Sequence, residues 1–340
     1  MDPAKFRKRQ INSAWPLPLF HRTVETSAGY ESIYMDKVFR YIKQYFSSIN
    51  PTVLLLVTLI TALLVFCNYY FRIDKWINNH GFSGRFLYRW GLSLIAFAVP
   101  YWITSLLQPR NYFADKLFAL MLLAAPAIFA LKMSLVMTVP FSADKNWNHY
   151  WNQVFYWPFR LLIVLLLLFF TWKIGEAKGS FFGFTVENFE WRPYAWMLLV
   201  MVPLIALAST QQDFLAMYPK FRMVSRDIAG APSSWLYKLF FELFYGTDFI
   251  SIELFFRGFL VLAFIKWAGT GAILPMACFY CSIHFGKPLA ECISSYFGGI
   301  LLGILVYNTR SMIGGLMLHL GIAWLMEIGG YAGGYFFGKK

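Results

Sequence analysis

Four ionisable side chains, Glu253, Arg257, His284 and His319, lie inside apolar stretches of the final third of the chain, where a charge is costly unless something uses it. Glu253 and Arg257 are four residues apart and share a helical face, with the glutamate first, the favourable order for an ion pair. In hydrocarbon such a pair neutralises two charges that neither carries alone, and it serves either as a structural clamp or as the support of a working carboxylate. A lone imidazole in a membrane is usually structural, provided its nitrogens find partners. Two imidazoles and a carboxylate on adjacent helices have more chemistry available: together they can deprotonate a water and stabilise an oxyanion. Three further carboxylates are possible helpers. Asp248 precedes Ile252 by one helical turn, Glu327 follows His319 by about two, and Glu291 opens the hydrophobic stretch between the histidines.

The elements that must position these groups are membrane helices. Of 340 residues, 59% are hydrophobic and 14% charged, and the mean hydropathy is +0.52, far from the balance of a soluble domain. Residues 51–71, 90–109 and 193–212 are uncharged and long enough to cross a hydrocarbon core of about 30 Å as helices. Further candidate spans run over 117–140, 154–172, 234–265, 267–285, 289–308 and 311–331. The expectation is an all-α, polytopic transmembrane bundle of about eight spans. The 234–265 stretch is too long for one perpendicular crossing, and Gly246 is where a break is expected. Gly299 and Gly303 form a small-xxx-small pair that lets a neighbouring helix approach, which would set this helix between those carrying the histidines.

Polarity divides the chain into a basic, cytoplasmic or interfacial tail (1–50), a first bundle (51–212), a polar connection (213–233) and a second bundle (234–340) that holds most of the chemistry. The tail's Lys5, Arg7, Lys8 and Arg9 favour a cytoplasmic start, whereas Arg72, Lys75 and Arg85 argue the other way. In the first bundle, Lys132 is expected to reach the interface by snorkelling, and Arg160 to lie near the start of its span. Aromatic clusters at span ends, Tyr69, Tyr70 and Phe71 and then Trp147, Tyr150 and Trp151, read as interfacial anchors. The net charge of +13 is scattered through loops and span ends, which points to anionic membrane lipids and not to nucleic acid. Cys278, Cys281 and His284 recur at intervals of three on one helix, and such ligands do not converge on a tetrahedral ion, so no metal site is expected, and no cofactor motif is present.

In order and spacing, Glu253 to Gly258, the aromatic helix ending in His284, the glycine-rich helix with Glu291, and Ser311 to His319 resemble the CPBP intramembrane proteases, which include the type II CAAX prenyl endopeptidases and relatives linked to bacteriocin processing and immunity. The resemblance implies a CPBP-like core in the carboxy-terminal half, with Glu253, Arg257, His284 and His319 as the catalytic group and Tyr280 as the motif aromatic. It also suggests the bacterial inner membrane as the location. The family pattern has a glutamate before Glu253 and an amide or carboxylate four residues after the last histidine. Here those positions hold Ile252 and Ala323.

Two readings follow for function. One is an intramembrane endopeptidase that activates water with a Glu/His site and acts on a peptide or membrane-protein substrate. The other, favoured by Ile252 and Ala323, is a catalytically impaired relative serving as subunit, chaperone or immunity-type partner of another membrane protein. Whether the chain is an enzyme turns on rescue of the missing groups, since losing a catalytic base or an oxyanion donor costs on the order of 10²- to 10⁴-fold in rate. A transporter, which would use Lys132 and Arg160, ranks last because no inverted repeat is visible.

Overall fold

The computed structural model describes residues 27–108, 111–175, 180–187 and 189–337, and the basic cluster from Lys5 to Arg9 lies outside them. The described residues form an all-helical bundle: α1 (Ser27–Ser48), α2 (Pro51–Phe71), α3 (Ile73–Asn78), α4 (Phe82–Leu107), α5 (Lys116–Ser134), α6 (Lys145–Ile174), α7 (Arg192–Ala208), α8 (Gln212–Met217), α9 (Ser234–Glu253), α10 (Ile265–Ala268), α11 (Ile273–Ser282), α12 (Leu289–Thr309) and α13 (Ile313–Phe337). Several starts are written into the sequence. Asn50 accepts from the backbone N–H groups of Thr52 and Val53 ahead of Pro51, and Asp115 and Asp144 cap α5 and α6 in the same way.

Six helices, α2, α4, α5, α6, α12 and α13, are long and apolar enough to cross a membrane. The expected count of about eight is not reached by this measure: the 234–265 stretch gives α9, which carries Lys238, Glu242, Asp248 and Glu253, and two other stretches are cut short. The 193–212 stretch yields only the 17-residue α7, and 267–285 is interrupted by a turn of 3₁₀ helix before the short α11. That short helix is central: every residue from Ile273 to Ser282 is buried, and it packs against α2, α4 and α12. Gly299 and Gly303 act as expected, their backbones lying against Ala277, Met276 and Ile273 of α11. Their helix therefore packs along α11 and touches α13 only lightly.

The expected break at Gly246 does not occur. α9 continues past it, and the residue is buried where an added methyl would lie 3.2 Å from a methyl of Leu320, so the glycine brings α9 close to α13. The helix changes character later, immediately after Glu253, where Leu254–Ala263 winds as a π-helix. Such wider turns are rare and cluster at functional sites. Tyr150 is also not an interfacial anchor. It is fully buried, and its hydroxyl donates to the carbonyl of Tyr237 at 2.7 Å.

Candidate active site

Glu253 ends α9 and Arg257 lies one turn into the π-helical segment, and both side chains are fully buried. Arg257 Nη1 is 3.1 Å from Glu253 Oε1. None of its guanidinium nitrogens is aimed at an acceptor among the described residues, so the pair is held by charge more than by hydrogen-bond geometry. The guanidinium instead lies over the Tyr280 ring, 4.0 Å from its centroid, a cation–π contact in a desolvated setting.

Tyr280 comes from α11 and His319 from the second turn of α13, and both join this pair. His319 Nδ1 is 2.8 Å from Glu253 Oε1, and His319 Nε2 is 3.2 Å from the Tyr280 hydroxyl. A carboxylate can only accept from Nδ1–H, so this tautomer leaves Nε2 to accept from the tyrosine. The edge of Phe249 closes the histidine's flank, with ring centroids 4.7 Å apart. The order of Glu253 depends on a glycine: a methyl at Gly315 would lie 2.6 Å from Glu253 Oε2, and that oxygen has no hydrogen-bond partner among the described residues.

His284 follows α11 in a turn. Its Nδ1 is 2.9 Å from the Tyr280 carbonyl, and its ring stands 4.7 Å from the Tyr280 ring. Tyr280 therefore links the two histidines, through its carbonyl to one and its hydroxyl to the other. The four residues read as catalytic from the sequence are brought together, with Tyr280 as their common neighbour.

The three possible helpers have other partners. Asp248 Oδ1 sits 2.9 Å from Lys132 Nζ, so the carboxylate expected one turn from Ile252 pairs with a lysine of α5. This corrects the snorkelling expectation, because the Lys132 side chain is 1% exposed and points inward. Arg160 is likewise mid-helix in α6, buried, with Nε donating to the Lys132 carbonyl at 3.0 Å and the guanidinium against Tyr156 and Trp157. Glu291 accepts from the Tyr218 hydroxyl at 2.9 and 3.1 Å and pairs with Lys287 at 3.2 Å. Glu327 accepts the backbone N–H groups of Lys220 and Phe221 and so anchors the polar connection. Ile252 and Ala323 belong to one apolar cluster with Phe249, Leu316 and Leu320.

A family-model match covers this region. Residues 232–325 match the family model of the Rce1-like type II CAAX prenyl endopeptidases. Neither a curated protein nor a solved structure matches the chain. The Rce1-like segment contains Glu253, Arg257, Tyr280, His284, Glu291 and His319, together with Ile252 and Ala323. Lys132 and Tyr218 fall outside it, yet they pair with Asp248 and Glu291 of the segment.

Sequence reasoning missed Tyr218. It lies in the polar connection, is 2% exposed, and takes a 2.7 Å hydrogen bond from Lys287 Nζ while donating to Glu291. Nothing in its local sequence marks it out. Cys281 and Cys292 are free thiols with sulfurs 3.9 Å apart, and no cluster of three metal-ligating residues exists among the described residues.

Proposed function

We propose that this membrane protein is a CPBP-type intramembrane endopeptidase that hydrolyses a peptide bond by activating water, without a covalent intermediate. The observation that supports this best is the convergence of Glu253, Tyr280, His284 and His319 from three helices inside the segment that matches the Rce1-like family. In this reading His284 Nε2 takes the proton of the attacking water, whose oxygen bonds to the scissile carbonyl carbon, and the imidazolium then returns the proton to the leaving nitrogen. Tyr280, with Arg257 over its ring, gives its hydroxyl proton to His319 Nε2 and so positions that imidazole beside the reacting centre. Glu253 fixes the His319 tautomer. Purified protein in detergent or proteoliposomes, given a farnesylated peptide library and an unmodified one, is expected to produce new amino termini, and His284→Ala is expected to abolish them. Cleavage that survives this substitution would remove the assignment.

One observation favours the second reading, a non-catalytic relative acting as a partner of another membrane protein. The two positions that are polar in the family, Ile252 and Ala323, pack together in an apolar cluster, and Asp248 is committed to Lys132. That reading predicts no turnover and a stable co-purifying complex that survives His319→Ala.

A further inference from the structure

A cavity of about 410 Å³ lies away from the Glu253 and His284 cluster. Its floor is hydrocarbon: Leu117 and Met121 one turn apart on α5, and Phe259 and Leu262 from the π-helical segment. Its rim carries two cations, Lys266 and Arg310, both exposed. Among the described lining residues there is no carboxylate. Asp115, which accepts from the lining residue Trp267 through Nε1 at 2.8 Å, is also held by the backbone N–H groups of Leu117 and Phe118, bonds that keep its carboxyl below the usual range.

The cavity's level in the bundle follows from helix ends. Leu117 is in the first turn of α5, Thr171 and Gly175 close α6, and Arg310 caps α12, so all lie within a turn of a terminus. His284 precedes the opposite end of α12, roughly 30 Å of helix away at 1.5 Å per residue. The cavity thus lies at one end of the bundle, where headgroups would meet it if the helices span a bilayer, and Met121 lines it one turn further in along α5. Arg310 also holds a left-handed backbone conformation, φ 58°, where glycine is the unstrained choice, so a guanidinium is kept here at a conformational cost.

We propose that this cavity is a binding site for one anionic phospholipid, with an acyl chain along Leu117, Met121, Phe259 and Leu262 and the phosphate between Lys266 and Arg310. A volume of about 410 Å³ falls in the range of roughly 300–1,000 Å³ for pockets that bury a small ligand. Basic pockets between helices at a membrane face suit lipid phosphates, which attract each nearby Lys or Arg with an energy that corresponds to roughly a five-fold change in affinity. The proposal does not depend on the peptidase reading, because none of these residues belongs to that site.

The test is native mass spectrometry of the full chain in detergent, titrated with phosphatidylglycerol and with phosphatidylcholine of identical acyl chains. One phosphatidylglycerol is expected to be retained preferentially. Lys266→Gln with Arg310→Gln is expected to weaken that retention by about 25-fold, two five-fold steps together. Removing the same charge at the other end of α6, with Lys145→Gln and Arg226→Gln, should leave it unchanged. Filling the cavity with Ala263→Phe should lower retention while both cations stay. Equal retention of the two lipids, or full retention by the Lys266/Arg310 double variant, overturns the site. Phosphatidylglycerol preference that responds to the charges but not to Ala263→Phe means surface adsorption and overturns it as well.

Discussion

Removing the charge of Glu253 tests how the buried cluster is held. In Glu253→Gln the amide keeps the shape, but Arg257 becomes an unpaired cation in a site with no solvent contact. Its remaining support is the Tyr280 ring, 4.0 Å away, a contact of about 2 kcal/mol when desolvated that is present before and after the change and so offsets nothing. Breaking a buried pair from one side costs about 3–5 kcal/mol. Arg257→Met should cost somewhat less, because Glu253 retains its bond to His319 Nδ1 at 2.8 Å. Removing both charges, Glu253→Gln with Arg257→Met, should recover most of the loss, since neither partner is then left as an unpaired buried charge. Chemical unfolding in a fixed detergent, followed by tryptophan fluorescence, gives the four corners of the cycle, and a coupling energy of at least about 3 kcal/mol is expected. Additive single effects, or a Glu253→Gln cost under about 1 kcal/mol, would refute the clamp.

Lys132→Met should destabilise the protein by a similar 3–5 kcal/mol by stranding Asp248, and Asp248→Leu in the same chain should restore it; the same unfolding assay reads both. Gly315→Ala should push the Glu253 carboxylate off His319, costing about 1–3 kcal/mol and at least ten-fold in any peptidase rate, and an unchanged rate would show that this bond is dispensable. The ammonium of Lys220, in the polar connection, is lowered to about 8, first by burial and then by the charge of Lys287. The folded pKa is below the unfolded one, so the penalty is complete below pH 8 and is relieved as pH rises from about 8 towards 10.5. Lys220→Met should therefore be the more stable form at pH 7, by on the order of 1–3 kcal/mol, with the advantage fading by pH 10; a difference that ignores pH contradicts this.

The Glu253–Arg257 pair was legible because both partners lie on one helix, where spacing alone fixes which side chains meet. The convergence of His284 and His319 was legible from their placement in separate hydrophobic stretches and from the resemblance over that region. What stayed hidden depends on distant contacts. Lys132 has the position of a snorkelling lysine, and only the packing of α5 and α9 against α6 turns it toward Asp248. Tyr218 sits in a polar connection with no periodicity, and its pairing with Glu291 and Lys287 is set by how that connection folds back. The glycine at 246 carries two meanings, break or close approach, and the neighbouring Leu320 chooses between them. The π-helical turn after Glu253 has no local sequence signature at all.

The central claim is that Glu253, Tyr280 and His319, from three different helices, act as one hydrogen-bonded unit. Nitrogen-15 NMR of histidine-labelled protein in lipid bilayers addresses it directly, since the chain has only five histidines. The expected result is a His319 with both nitrogens hydrogen-bonded, whose Nδ1 signal shifts in Glu253→Gln and whose Nε2 signal shifts in Tyr280→Phe. A His319 spectrum indifferent to both substitutions would contradict the account.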